Sequence, residues 1–269
     1  MQYGMIIDLN RCVGCHACAI ACKAEWEVPA DKGRNWVHRL GPAKTPEGLA
    51  ATYYPGLCNH CNEPSCVPAC PADVVEKTFH DNRTGKTQTL RVAATYKNPV
   101  NGTVQIDRHR CLGCGACAHA CPYGARYINP EIKNEDIGGE GIADKCTYCL
   151  PRVEQGLEPA CVLTCLANAR IFGDLDDPDS EVSRYVSKGA IGLTSAAVHI
   201  GPNSRYYGNK KDMHLLTSTS APTGTGKPSA SLRRGFIAQL TTEMKKAGGL
   251  GFLGLAGAVI ASDSDDDNG

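Results

Sequence analysis

The chain has 269 residues, a formal net charge of zero, 42% hydrophobic residues and only 6% aromatic ones. Balanced charge excludes a large basic field of the kind that grips nucleic acid, and the length gives room for more than one compact module. Sixteen cysteines are counted among the hydrophobics, so the aliphatic core is thinner than the percentage suggests, and something besides apolar burial must help to hold the fold.

In chain order, GMIIDL reads as a short strand running into the first cysteine group. This start lacks the basic and long apolar regions of a secretory signal. Cys12, Cys15, Cys18 and Cys22 form C-x2-C-x2-C-x3-C, and Cys58, Cys61, Cys66 and Cys70 form C-x2-C-x4-C-x3-C. Residues 74–105 carry turn signals at Thr84-Gly85 and Asn101-Gly102 with alternation near TLRVAATY. They predict a β-hairpin-like insertion, used for subunit contact or equally well a solvated loop. Cys111, Cys114, Cys117 and Cys121 repeat the first spacing, and Cys146, Cys149, Cys161 and Cys165 form C-x2-C-x11-C-x3-C. A Ser/Thr/Gly/Pro linker is expected over 216–231. An amphipathic helix over 231–246 and a glycine-rich apolar stretch at 248–261 could then pack on a partner or dip into a membrane interface. That stretch is shorter than the roughly 18 apolar residues of a membrane span, and the acidic end DSDDDNG reads as solvated.

Four groups of four with no cysteine left over point to four [4Fe–4S] clusters. A cubane presents four irons, each needing one thiolate. Cysteines three apart wrap three corners, and the fourth lies on the segment leading away, where it reaches a neighbouring cluster, as in two-cluster bacterial ferredoxins. Small residues in the loops (Gly14, Ala17, Gly113, Gly115, Ala116) let backbone amides approach the sulfurs and set the potential. Structural zinc fits only the fourth group. A disulfide framework needs an oxidising setting, and a redox dithiol explains one C-x-x-C, not four quartets. His16, His60 and His119 are not needed as ligands and read as supporting or surface residues. Lys23 or Arg11 could raise a cluster's potential, or be a solvated or ion-paired charge. No catalytic constellation stands out, and GTGKPS lacks the spacing of a phosphate loop.

Residues 8–22 align with 107–121, and 62–70 with 157–165, so the chain reads as a tandem duplication of a two-quartet unit. Cys70 and Cys121 are followed by proline, but Cys22 by Lys23 and Cys165 by Leu166. This favours exchange of fourth cysteines between quartets two and three, and between one and four. The simpler exchange between neighbours stays open.

The stretches MIIDLNRCVGCHACAIACKAE, LCNHCNEPSCVPACP, IDRHRCLGCGACAHACPYGARYINP, ADKCTYCLPRVEQGLEPACVLTCLANARIFGDLDDPDSEVS and a weaker GPNSRYY span residues 5 to 207. Together they resemble the four-cluster iron–sulfur subunits of dimethyl-sulfoxide, polysulfide, thiosulfate, tetrathionate and arsenate reductase type molybdopterin oxidoreductases. The resemblance implies an α+β fold of two bacterial-ferredoxin-like modules with nested pairing. Its cluster sets would be Cys12, Cys15, Cys18 with Cys165; Cys146, Cys149, Cys161 with Cys22; Cys58, Cys61, Cys66 with Cys121; and Cys111, Cys114, Cys117 with Cys70. The outer module would be 1–57 with 122–207, the inner one 58–121, and 208–269 a linker and tail. The resemblance further implies a non-catalytic wire between a molybdenum or tungsten bis-pterin catalytic subunit and an integral-membrane quinone-reactive subunit. A sulfur oxyanion or polysulfide is the first expected substrate of that complex, with arsenate next. The alternatives are the equivalent subunit of a hydrogenase, formate dehydrogenase or other quinone-linked complex, and a free polyferredoxin. The expected location is the outer face of the cytoplasmic membrane, reached with a signal-bearing partner; the cytoplasmic face is the alternative.

Overall fold

The structure, a computed structural model, describes residues 1–132, 141–194 and 199–218. The helix expected over 231–246, the stretch at 248–261, the acidic end and most of the linker lie outside the described residues.

The expected first strand is β1 (Tyr3–Asp8), and its apolar run Met5–Ile7 is wholly buried. It leads through the first cysteine loop into α1 (Ala17–Trp26). Next come a long hairpin, β2 (Asn35–Thr45) with β3 (Gly48–Leu57), and then the second quartet. The insertion holds two hairpins rather than one: β4 (Val75–His80) with β5 (Thr87–Val92), and β6 (Thr95–Lys97) with β7 (Val104–Ile106). Both expected turn signals serve. Gly85 (φ 69°) and Gly102 (φ 68°) take the left-handed conformation that glycine enters without strain. Asp81 accepts from the Arg83 amide and the Thr84 hydroxyl at 3.0 and 2.9 Å, closing the first turn.

The third quartet flanks the short α2 (Ala116–His119), then β8 (Tyr127–Asn129) pairs with β9 (Ile142–Asp144). The fourth is carried by α3 (Leu150–Val153) and α4 (Ala160–Leu163). Then follow β10 (Arg170–Asp174), α5 (Glu181–Ser187), β11 (Ile191–Gly192), β12 (Ser204–Tyr207) and α6 (Lys210–Ser218). Ser180 caps α5 by accepting from the Ser183 amide at 3.1 Å, with Glu181 in the first turn.

One four-stranded sheet, in the order β10-β1-β12-β11, joins the two ends of the described chain. β1 runs antiparallel to β10 (Ile7↔Arg170) and parallel to β12 (Met5↔Ser204). This register brings the approach to Cys12 beside the exit from Cys165. The main core gathers Met5, Ile7, Trp36, Tyr54, Tyr206 and Leu216 together with Cys18, Cys58, Cys121, Cys146 and Cys161. Cysteine is therefore core material here. Residues 208–218, grouped from sequence with the tail, contain α6, whose Leu215 and Leu216 are buried against the β2–β3 hairpin. Among the described residues no helix is long and apolar enough to cross a membrane.

Candidate metal centres

Three cavities are each lined by four thiols. The first, about 390 Å³, is lined by Cys12, Cys15, Cys18 and Cys165, with Val13, His16 and Arg170 at its wall. The second, about 280 Å³, has Cys22, Cys146, Cys149 and Cys161, with Trp26 and Arg34. The third, about 270 Å³, has Cys70, Cys111, Cys114 and Cys117. The remaining four, Cys58, Cys61, Cys66 and Cys121, are all buried, and the strongest charge neighbours of Cys61 are the other three. Each set joins three cysteines of one quartet to the last cysteine of another.

Local backbone geometry explains how loops this short surround a volume. Gly14 and His16 (φ 68° and 61°) turn the first loop, and Gly113 and Gly115 (φ 66° and 73°) turn the third. A Cβ on Gly14 would sit 2.2 Å from the Tyr53 ring, and one on Gly113 would sit 2.2 Å from the Gly141 carbonyl oxygen. Glycine at both positions is therefore a packing requirement as well as a conformational one.

Donors are aimed at the sulfurs. The amides of Ala143, Tyr148 and Ala169 donate to Cys111, Cys146 and Cys165 Sγ at 3.3, 3.4 and 3.2 Å. The Trp26 indole N–H donates to Cys149 Sγ at 3.2 Å. Such donors favour the thiolate. Burial opposes it: Cys22 and Cys66 are pushed up to about 12, Cys161 up to about 11, and Cys61 and Cys146 well above the usual thiol range. Thiols so buried are neutral at physiological pH and become thiolates when a cation binds them. Among the described residues no three Cys, His, Asp or Glu side chains converge tightly enough for one metal ion; the thiols stand around volumes instead. Four sulfurs about each volume, with amides donating to them, fit a [4Fe–4S] cubane.

Four buried cations escaped the sequence reading. Arg34, 1% exposed, pairs with Asp144 through two bonds of 2.8 and 3.0 Å. Arg126 and Arg170 are buried. Lys145, also buried, donates to the carbonyls of Val104 and Cys146, the latter at 2.7 Å. A signal for two of them was present: each arginine stands at the same place after the last cysteine of its quartet, in CPYGAR and CLANAR.

His16 and His119 are exposed, whereas His60 is fully buried, accepts from the Val104 amide at 2.9 Å and stacks on Tyr148 at 3.8 Å. Burial holds its pKa well below 6.5, so it is neutral. Lys23 donates to the carbonyls of Pro29, Ala30 and Lys32 and clamps the loop after α1. Arg11 pairs with Asp8 at 3.7 Å and donates to the Asn168 carbonyl at 3.1 Å.

Residues 49–175 match a family model described as a 4Fe-4S dicluster domain, and residues 9–25 match a 4Fe-4S binding domain. The B subunit of tetrathionate reductase from Archaeoglobus fulgidus is 41% identical, over 76% of this chain and 81% of the relative. The B subunit of sulfite dehydrogenase from Allochromatium vinosum is 38% identical, over 68% and 72%. The B subunit of polysulfide reductase from Wolinella succinogenes is 35% identical, over 76% and 96%. With thiols gathered in fours around closed volumes, and B subunits of several reductases as its relatives, the chain belongs to the family of iron–sulfur B subunits of the dimethyl-sulfoxide, tetrathionate, polysulfide, thiosulfate and arsenate reductases.

Proposed function

We propose that the chain is an electron wire holding four [4Fe–4S] clusters, one in each set of four thiols described above, with the nested ligation. Each cluster, when bound, supplies a reversible one-electron couple; the chain supplies thiolates, amide donors and insulation. The observation that carries this reading is the lining of each of three cavities by four thiols, three from one quartet and one from another.

The spatial order supports a wire. Cys66 has Cys117 among its charge neighbours, Cys146 has Cys58, and Cys161 has Cys18. The sets then follow one another as quartet three, two, four and one. Cys15 and Cys114, one in each end set, are the exposed cysteines. An electron enters at one end and leaves at the other without bond making or proton transfer by this chain.

The partners in this reading are a large bis-pterin catalytic subunit and an integral-membrane quinone-reactive subunit, on the outer face of the cytoplasmic membrane. The complex acts on a sulfur oxyanion or polysulfide, a choice supported by the names of the relatives. Iron and acid-labile sulfide should each approach about sixteen atoms per chain, four per cluster; zinc with little sulfide would overturn the cluster reading. Co-purification with a pterin-containing large subunit is expected, and isolation as a lone soluble carrier would overturn the complex.

A further inference from the structure

The duplication leaves one matched pair that ligation does not use. Arg126 follows Cys121 at the same interval as Arg170 follows Cys165. The two are 2% and 3% exposed. A guanidinium so removed from water ordinarily has a carboxylate beside it, yet neither bonds a carboxylate among the described residues. Arg126 donates through one terminal nitrogen to Thr95 Oγ1 at 3.3 Å, while its Nε and other terminal nitrogen have no partner among the described residues. Arg170 has one terminal nitrogen 3.9 Å from Cys161 Sγ, and the other has no partner among the described residues.

Sulfur takes the place of the carboxylate. Arg170 lines the cavity of Cys12, Cys15, Cys18 and Cys165, while Cys161, whose Sγ it reaches at 3.9 Å, belongs to the other set of its module. Thr95, which Arg126 bonds, lines the cavity of Cys70, Cys111, Cys114 and Cys117, and the charge neighbours of Arg126 include Cys66, Cys58 and Cys121 from the other set of the inner module. Each guanidinium therefore stands between the two cysteine sets of its own module. Left alone, it is an uncompensated buried cation, which is costly. A cluster held by four thiolates is net negative in both redox states, and more so when reduced.

We propose that Arg126 and Arg170 are positioning cations, one for each within-module electron hop, each shared by two clusters and raising both of their potentials together. The inference rests on the cluster reading above. A shared cation favours the reduced state on either side, so it eases electron entry without creating a step between the two clusters. It also screens an electron on one cluster from its neighbour. Arginine suits the role because its charge does not vary at any working pH.

The test is an EPR-monitored redox titration of the whole complex carrying Arg126→Gln, Arg170→Gln or the charge-keeping Arg126→Lys and Arg170→Lys. Arg126→Gln should lower the midpoint potentials of the clusters at Cys58/Cys61/Cys66/Cys121 and Cys70/Cys111/Cys114/Cys117, leaving the other two in place. Arg170→Gln should give the opposite pattern, and the lysine variants should return the potentials toward the parent values. Unmoved potentials with a full iron and sulfide content would overturn the inference, as would a shift spread evenly over all four clusters. Where a glutamine variant fails to assemble, its lysine counterpart decides. Parent-like potentials support a charge role, and loss of clusters there too overturns it in favour of packing. Iron and sulfide content of the unaltered protein tests the cluster reading separately.

Discussion

Replacing Trp26 by phenylalanine removes the indole N–H with the five-membered ring that carries it and keeps a six-membered aromatic face. The indole N–H lies 3.2 Å from Cys149 Sγ, and the Arg34 guanidinium sits 4.9 Å from the centre of the same ring. Phenylalanine keeps a face for Arg34, which stays paired with Asp144, so the lost hydrogen bond is the main change. A hydrogen bond to a charged group is worth about 1.5–3 kcal/mol. Only the part that strengthens on reduction enters the potential, about 0.5–1 kcal/mol if a third of it does. For a one-electron couple, where a tenfold change corresponds to about 59 mV, this is a fall of about 20–40 mV. The cluster at Cys22, Cys146, Cys149 and Cys161 should show that fall in an EPR redox titration, with its iron content intact. An unchanged or raised potential there, or a comparable fall confined to another cluster, would refute the reasoning.

Gly113→Ala should abolish the cluster at Cys70, Cys111, Cys114 and Cys117. The new Cβ meets a backbone oxygen at 2.2 Å, on top of about 1–2 kcal/mol for a left-handed alanine; about a quarter of the iron should be lost. Gly85→Ala, with a similar φ of 69° and open space around it, should cost only the left-handed strain of about 1–2 kcal/mol and leave iron unchanged; equal losses in both variants would count against the packing argument. Leu216→Ala on the buried face of α6 should cost about 2–5 kcal/mol in thermal or denaturant unfolding, and an unmoved transition would show that α6 does not pack on the hairpin in solution. Chelating the iron should collapse the near-ultraviolet circular dichroism, because five cysteines belong to the main core; an unaltered melting transition would show that apolar contacts alone hold the fold.

Legibility followed the range of the interactions. The cysteine ruler, the first strand and the turns at Gly85 and Gly102 are local, and each is where its residues imply. No sequence signal marks the β2–β3 hairpin, although it is the longest among the described residues. Its strands are broken by Gly41-Pro42 and bulge between Leu40 and Ala43, so no clean alternation marks them. Its apolar side chains Trp36, Val37, Leu40 and Tyr54 share one core cluster with Leu215 and Leu216 of α6, far along the chain, where a Ser/Thr-rich stretch conceals a helix. The buried cations were illegible for a related reason. Lysine and arginine are almost always exposed, and what overrides that rule comes from distant segments: Asp144 for Arg34, the Val104 carbonyl for Lys145, and sulfur for Arg126 and Arg170.

One local difference reaches far. The first and third cysteine runs begin alike, each entering its helix through a left-handed residue, His16 or Gly115. At Cys121 the next residue is proline, which has no amide to donate and biases Cys121 away from helix; α2 stops at His119. At Cys22 the next residue is Lys23, so α1 runs on to Trp26, where Lys23 clamps the following loop through the Pro29 and Ala30 carbonyls. Trp26 is one helical turn past Cys22 and on the same face. That extra turn delivers the indole to Cys149 and stacks it against Arg34, whose partner Asp144 stands two residues before Cys146. The helix of the first quartet is thereby tied to the loop of the fourth. In the third run the chain turns away after Pro122 instead. Tyr123 donates to the Leu193 carbonyl at 2.8 Å, and Arg126 is delivered among the sulfurs. The two copies part in course at the residue after the last cysteine, Lys23 or Pro122: one gains a tryptophan donor to a partner quartet, and the other ends its helix and turns inward.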